Sequence, residues 1–234
     1  MSDKENNVTL KELTEELGFP KSTISGLLKT LEQYDFVNKV NNKYELGIHL
    51  FELGTKVRKN TKLDVVARPY LEDLADKIKE TVNLGILDNG KVLLLDKYMP
   101  SSGFQIGAQI GTRLEPHCIA LGKVLLANLS ERKIDNIYKD QELTKKTDHT
   151  ITDYEELKKE LKKIKDQEYA VDNEELLEDM RCIAAPIYNG GGENIAAISI
   201  TTLVSRLKNE KLENKKGQLR YAARKISKDL GYKP

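Results

Sequence analysis

Five residues within one short stretch carry the clearest chemistry in this chain: Lys21, Ser22, Thr23, Ser25 and Lys29. Short hydroxyls and cations on one helix face reach phosphates and base edges in a DNA major groove. Lys39 and Lys43 follow, placed to straddle a phosphate backbone. A second set lies further on. His117, Cys118 and Cys182 are the residue types of a nucleophile and its base, or, with Asp172, of a metal site. Neighbours such as His117 and Cys118 point apart, and no third group orients them. No Cys-x-x-Cys or His-x-His spacing supports a metal. Buried packing is the ordinary role of such cysteines, so neither catalysis nor metal binding is expected. Ser199 and Thr201 are two hydroxyls on one face of a strand, with Ile198 and Ile200 on the other. A solvated face and a binding surface both fit that pattern.

The elements that position the first set read clearly. Thr9–Leu17 has Leu10, Leu13 and Leu17 at helical spacing. Gly18-Phe19-Pro20 follows: glycine suits a left-handed C-cap, and proline cannot continue the helix. A second helix over about Lys21–Tyr34 carries Ile24, Leu27, Leu28 and Leu31 as one apolar stripe. Any two amphipathic helices about a turn share this pattern and most only pack a core. The next residues favour a DNA reader. Asp35–Val40 alternates, Asn41-Asn42-Lys43 makes a polar turn, and Tyr44–Leu46 alternates again. A helix pair followed by a hairpin is the layout of a winged helix.

Composition bounds the rest. A chain of 234 residues, 39% hydrophobic and 32% charged, is soluble and folded, in one or two domains. No apolar run approaches the roughly 20 residues of a membrane helix, and the start MSDKENN is no signal peptide. Two cysteines make no disulfide scaffold, which points to the cytoplasm and away from a membrane. Net charge is +1, and residues 1–60 balance nine Lys/Arg against nine Asp/Glu, so any nucleic-acid face is local. Residues 20–43 hold four cations and two acids; Arg206–Pro234 hold ten and three. The latter stretch reads mainly as a solvated helix face, because Leu219, Ala222, Ala223, Ile226 and Leu230 form a stripe opposite.

A helix from about Gly47 to Thr61 is expected to link this domain to a second. Leu63–Lys79 is another helix, kinked or restarted at Pro69. Val82–Leu87, the turn Asp88-Asn89-Gly90 and Lys91–Tyr98 read as a hairpin. A strand is expected at Phe104–Ile106, a short helix from about Ala120, and a helix over Thr152–Gln167 capped by Thr152 with Glu155 three residues on. Strands follow at Tyr169–Asp172, Ile183–Tyr188 and Ile195–Thr202. The fold class is α+β with an antiparallel sheet. The domains are residues 1–47, a linker helix over 48–62, and 63–234.

Together these segments resemble the isocitrate-lyase-regulator (IclR) family of bacterial transcriptional regulators, over nearly the whole chain. The resemblance rests on STISGLLKTLEQYDFV with YELG, then PYLEDLADKIKETVNLGILDNGKVLLLDK, HCIALGKVLLANL, the run Thr147–Thr152, YAVDNEE, CIAAPI and AAISIT. It implies a winged helix-turn-helix that binds operator DNA and a C-terminal effector domain similar to GAF and PAS sensors. It also implies assembly as a homodimer or homotetramer, a small organic acid as effector, and no cofactor. By matching motifs, Ala120, Leu121 and Gly122 would offer backbone N–H groups to the effector. Asp172, Cys182, Ser199 and Thr201 align with the family's ligand-contacting positions. An anionic effector is repelled by an ionised Asp172, so a hydrogen bond from an effector hydroxyl or hydrated carbonyl, or protonation on binding, is expected there.

The chain departs from the family pattern twice. The family has a helix before the one at Thr9, whereas here only Met1–Val8 precede it. The expectation is a DNA-binding domain lacking its first helix through a start placed downstream of the true one. Leu10, Leu13, Ile24 and Leu28 would then be partly uncovered, each worth roughly 1.5–3 kcal/mol when buried. Second, Gly26 stands where the family commonly has arginine. That removes a contact and costs about 1 kcal/mol of helix propensity, or else permits close approach to a neighbour. Both departures keep an alternative open: a ligand-sensing, oligomerising module that no longer binds DNA.

Overall fold

The computed structural model describes residues 7–60, 62–100, 107–139, 142–206 and 209–233. The chain divides into two compact units, residues 1–61 and 62–234.

The first unit begins with β1 (Val8–Thr9) and α1 (Leu10–Leu17). Thr9 and Glu12 form a reciprocal capping box: Glu12 N–H donates to Thr9 Oγ1 at 3.2 Å, and Thr9 N–H donates to Glu12 Oε2 at 2.7 Å. Gly18, at φ 68°, ends α1 in the left-handed conformation expected of it. α2 spans Lys21–Gln33. β2 (Val37–Val40) and β3 (Lys43–Leu46) pair across Asn41 and Asn42, both at positive φ, as a two-residue hairpin turn requires. β1 adds to β3, giving the order β1-β3-β2. α3 (His49–Asn60) completes the unit. Ile24 and Leu28 are not left uncovered: they are 3% and 5% exposed, because Val37 and Tyr44 of the wing close over them. Leu10 and Leu13 are half-buried at the margin of this small core. The exposed apolar side chains of the helix pair are Leu17, Leu27 and Leu31.

The second unit is a sheet between two helical layers. α4 (Lys62–Ile78) is one helix with Pro69 inside it. β4 (Thr81–Asp88), β5 (Lys91–Tyr98), β6 (Arg113–Leu114), β7 (Ala170–Asn173), β8 (Met180–Tyr188) and β9 (Asn194–Leu203) form an antiparallel sheet in the order β6-β5-β4-β9-β8-β7. α4 and α8 (Asn209–Asp229) cover one face, where Leu71, Leu84, Ile183, Ile198, Ile200 and Leu219 pack. The other face carries α5 (Ala120–Ala127) and α7 (Tyr154–Gln167), with Leu121, Leu125, Leu157, Ile164, Ala184 and Ala197 at its core. α6 (Glu131–Tyr138), not anticipated from the sequence, buries Ile134 against that layer. The cap of α7 is Asp153 rather than Thr152. Asp153 is extended (φ −95°, ψ 130°), and its carboxylate accepts from Glu156 N–H at 2.8 Å. The strand expected at Phe104–Ile106 lies outside the described residues.

Candidate nucleic-acid interface and binding cavity

On α2, Lys21, Ser22, Thr23, Ser25 and Lys29 are all exposed, as are Lys39 and Lys43 on the wing. Helical spacing puts Ser22, Thr23, Ser25 and Lys29 away from buried Ile24 and Leu28, whereas Lys21 lies in line with them at the N-terminal end of the helix. Lys21 and Lys39 come together in one open groove of about 500 Å³, which Lys11 and Asn42 also line. The Lys39 ammonium sits 5.6 Å from the centre of the Tyr44 ring, which steadies it at the groove. Ser22, Thr23, Ser25, Lys29 and Lys43 lie outside that groove. α2 has Pro20 as its N-cap and no side-chain cap; Thr23 and Ile24 N–H donate to Pro20 O, which leaves the N–H groups of Lys21 and Ser22 available to a phosphate. A Cβ on Gly26 would meet nothing within 4 Å, so no neighbour among the described residues demands glycine there.

The second unit holds a small cavity between the sheet and the start of α5. Of the seven residues singled out there, six line it: Ala120, Leu121, Asp172, Cys182, Ser199 and Thr201. Gly122 does not. A Cβ at Gly122 would stand 2.2 Å from Pro116 O and 2.3 Å from Pro116 Cα, so this glycine lets the turn Pro116–Cys118 press against α5. The cavity measures about 40 Å³, close to the ~30 Å³ share of one liquid water. Leu94, Ile119, Leu176 and Met180 supply apolar wall.

Two features of the cavity call for a polar occupant. Ile119, the N-cap of α5, offers no side-chain cap, and the first backbone bond into the helix is Lys123 N–H to Ile119 O. The N–H groups before it present a positive dipole end. Opposite lies Asp172, fully buried, with Oδ1 accepting from Glu175 N–H at 2.8 Å and Oδ2 without an N–H or O–H donor. Burial pushes the Asp172 carboxyl up to about 7; the charge of Glu175 adds to this, while the hydrogen bond from Glu175 N–H and the Lys123 ammonium oppose it.

What holds Asp172 was not legible in the sequence. Lys123, 1% exposed, donates to Val171 O at 2.7 Å and to Glu175 Oε1 at 2.5 Å. Thr147 Oγ1 donates to Glu174 O at 2.6 Å and Thr150 Oγ1 to Glu175 O at 2.7 Å. The threonine run therefore pins the turn after β7, and Lys123 neutralises the carboxylate that turn brings inside. Asn83 of β4 was also missed. It lines the cavity and its Nδ2 donates to Thr201 Oγ1 at 3.0 Å and to Ser199 Oγ at 3.3 Å.

Neither cysteine is primed as a nucleophile. Burial pushes the Cys118 thiol up to about 12, and the Cys182 thiol well above its ordinary value. His117 Nε2 faces Thr144 O at 3.1 Å, and burial lowers its pKa, so the ring is neutral at pH 7. Among the described residues, no three His, Cys, Asp or Glu side chains converge as metal ligands. No described helix is long and apolar enough to cross a membrane.

Comparison with known proteins places these features. Residues 55–228 match the family described as bacterial transcriptional regulator IclR C-terminal, and residues 1–40 match the IclR helix-turn-helix domain. The chain is 33% identical over 233 residues to the HTH-type transcriptional regulator XynR of Escherichia coli, covering 99% of this chain and 92% of that protein. It superposes on the crystal structure of Thermotoga maritima IclR with a TM-score of 0.77 at 30% identity, covering 98% and 94%. An IclR homolog from Microbacterium hydrocarbonoxydans, solved with 4-hydroxybenzoate, shares the fold at a TM-score of 0.85 and 24% identity, covering 97% and 93%. With a helix-turn-helix that binds DNA and a C-terminal domain that binds an effector, this chain belongs to the IclR family of transcriptional regulators.

Proposed function

We propose that the regulator reads operator DNA through Lys21, Ser22, Thr23, Ser25 and Lys29 of α2 and Lys39 and Lys43 of the wing. Its effector is a small organic acid that carries a hydroxyl or hydrated carbonyl, held in the cavity among Ala120, Leu121, Asp172, Cys182, Ser199 and Thr201. The observation that carries this reading is the pairing of an uncapped helix N-terminus with a buried Asp172 oxygen that has the Cys182 thiol beside it and no N–H or O–H donor, in one cavity. A carboxylate suits the first and a hydroxyl the second. The Microbacterium relative, bound to a hydroxyl-bearing carboxylate, is in keeping with that class. Gly122 acts by letting the turn approach α5 and not as a wall of the site.

The protein works in the cytoplasm as a homodimer or homotetramer and catalyses no reaction. A dimer sets two recognition helices about 34 Å apart on a palindromic site. Since about 40 Å³ admits little more than a water, effector entry requires the cavity walls to move, and the ligand selects the opened population. Titration of the protein with C3 and C4 hydroxy and oxo acids tests the site. Saturable binding lost in Asp172→Ala supports it; binding of unchanged affinity in that variant removes Asp172 from the role.

A further inference from the structure

We infer that Asn83 is a specificity-determining residue of this cavity: by donating to both Ser199 and Thr201, it turns the Ser199 hydroxyl proton toward the ligand and fits that wall to a carboxylate. The inference rests on the reading of the cavity as the effector site. Asn83 lies on β4 directly opposite Ser199 of β9 in the antiparallel register. It is 7% exposed, and Ser199 and Thr201 are 2% and 6% exposed, so bulk solvent barely reaches these bonds. The amide has two N–H donors, and both are used, on Thr201 Oγ1 at 3.0 Å and on Ser199 Oγ at 3.3 Å.

A hydroxyl that accepts from Asn83 has one proton to place elsewhere. Thr201 Oγ1 has the Cys182 sulfur beside it at 3.4 Å. Ser199 has no further partner among the described residues, and the cavity it lines is where its proton is directed. The Ser199 hydroxyl and the start of α5 therefore present donors to the cavity, and the wall containing Asp172 Oδ2 presents an acceptor. Hydroxyls oriented before the ligand arrives cost no reorganisation on binding. An isosteric amide in place of the carboxylate brings an N–H₂ group to a wall already made of donors. The cavity thus selects an acid over its amide, and Asn83 sets that selectivity.

Calorimetry with lactate and lactamide tests this in the wild type, Asn83→Leu, Ser199→Ala, the double variant and Asp172→Ala, each checked by thermal unfolding. Asn83→Ala replaces Asn83→Leu should the larger side chain prevent folding. The wild type is expected to prefer lactate, and the lactate-to-lactamide affinity ratio to fall about 10-fold in either single variant with little further change in the double. A merely structural role for Asn83 would weaken both ligands alike. An unchanged ratio in Asn83→Leu, with lactate binding still lost in Asp172→Ala, overturns the inference and leaves the site standing. A wild type that binds neither compound, or binding insensitive to Asp172→Ala, overturns both.

Discussion

Asp172 concentrates the consequences of burial in one side chain. Its carboxyl titrates near 7 in the folded protein against 3.8 in the unfolded chain, because burial disfavours the charge. Between those values the folded state binds more protons, so stability is full at low pH and is lost as pH rises through about 7. Between pH 5 and pH 8 the expected loss is about 3 kcal/mol. Denaturant unfolding at pH 5 and pH 8 should show it in the wild type and not in Asp172→Asn; equal pH slopes would contradict the assignment. Lys123 gives a second prediction. Lys123→Met leaves Glu175 buried without its cation and should cost about 3–5 kcal/mol, while the double change with Glu175→Leu should regain most of it. An additive double variant would show that the two side chains do not compensate each other.

At the scale of elements, local signals carried far and long-range ones did not. Asn41-Asn42 and Asn89-Gly90 marked both hairpins because their backbone conformations favour those residue types. Ser199 and Thr201 shared a face through strand alternation alone. Asn83 joined them through the β4–β9 register, across 116 residues of sequence from Ser199, and no local pattern announces such pairing. Lys123 and Glu175 meet in the same way over 52 residues. Leu27 and Leu31 continued the apolar stripe of α2 but stay exposed, because the core of this unit is only as deep as the wing that covers it. Thr152 and Asp153 can both cap a helix, and the backbone chose the second. Two glycines give opposite predictions. Gly122→Ala forces α5 away from Pro116 and should cost about 1–3 kcal/mol in denaturant unfolding. Gly26→Ala meets nothing and should stabilise the first unit by up to about 1 kcal/mol. A neutral Gly122→Ala or a destabilising Gly26→Ala would show that the packing or the helix is wrongly described.

For the whole molecule, a net charge of +1 means that operator affinity depends on a few placed cations rather than on a general positive field. Lys29→Ala should weaken binding to all sequences alike and lower the salt slope by about 1. On the proposed reading, a hydroxy acid in the Asp172 cavity alters DNA binding by the other unit, through two populations that bind the ligand unequally. The most direct measurement is binding of the full chain to its own upstream intergenic DNA, against unrelated DNA and at two salt concentrations, with and without lactate, for the wild type and Asp172→Ala. The expected result is specific, salt-sensitive binding that lactate shifts about 10-fold in the wild type, a coupling of about 1.4 kcal/mol, and leaves unmoved in Asp172→Ala. Absence of specific DNA binding, or an equal response to lactate in the two proteins, would contradict it.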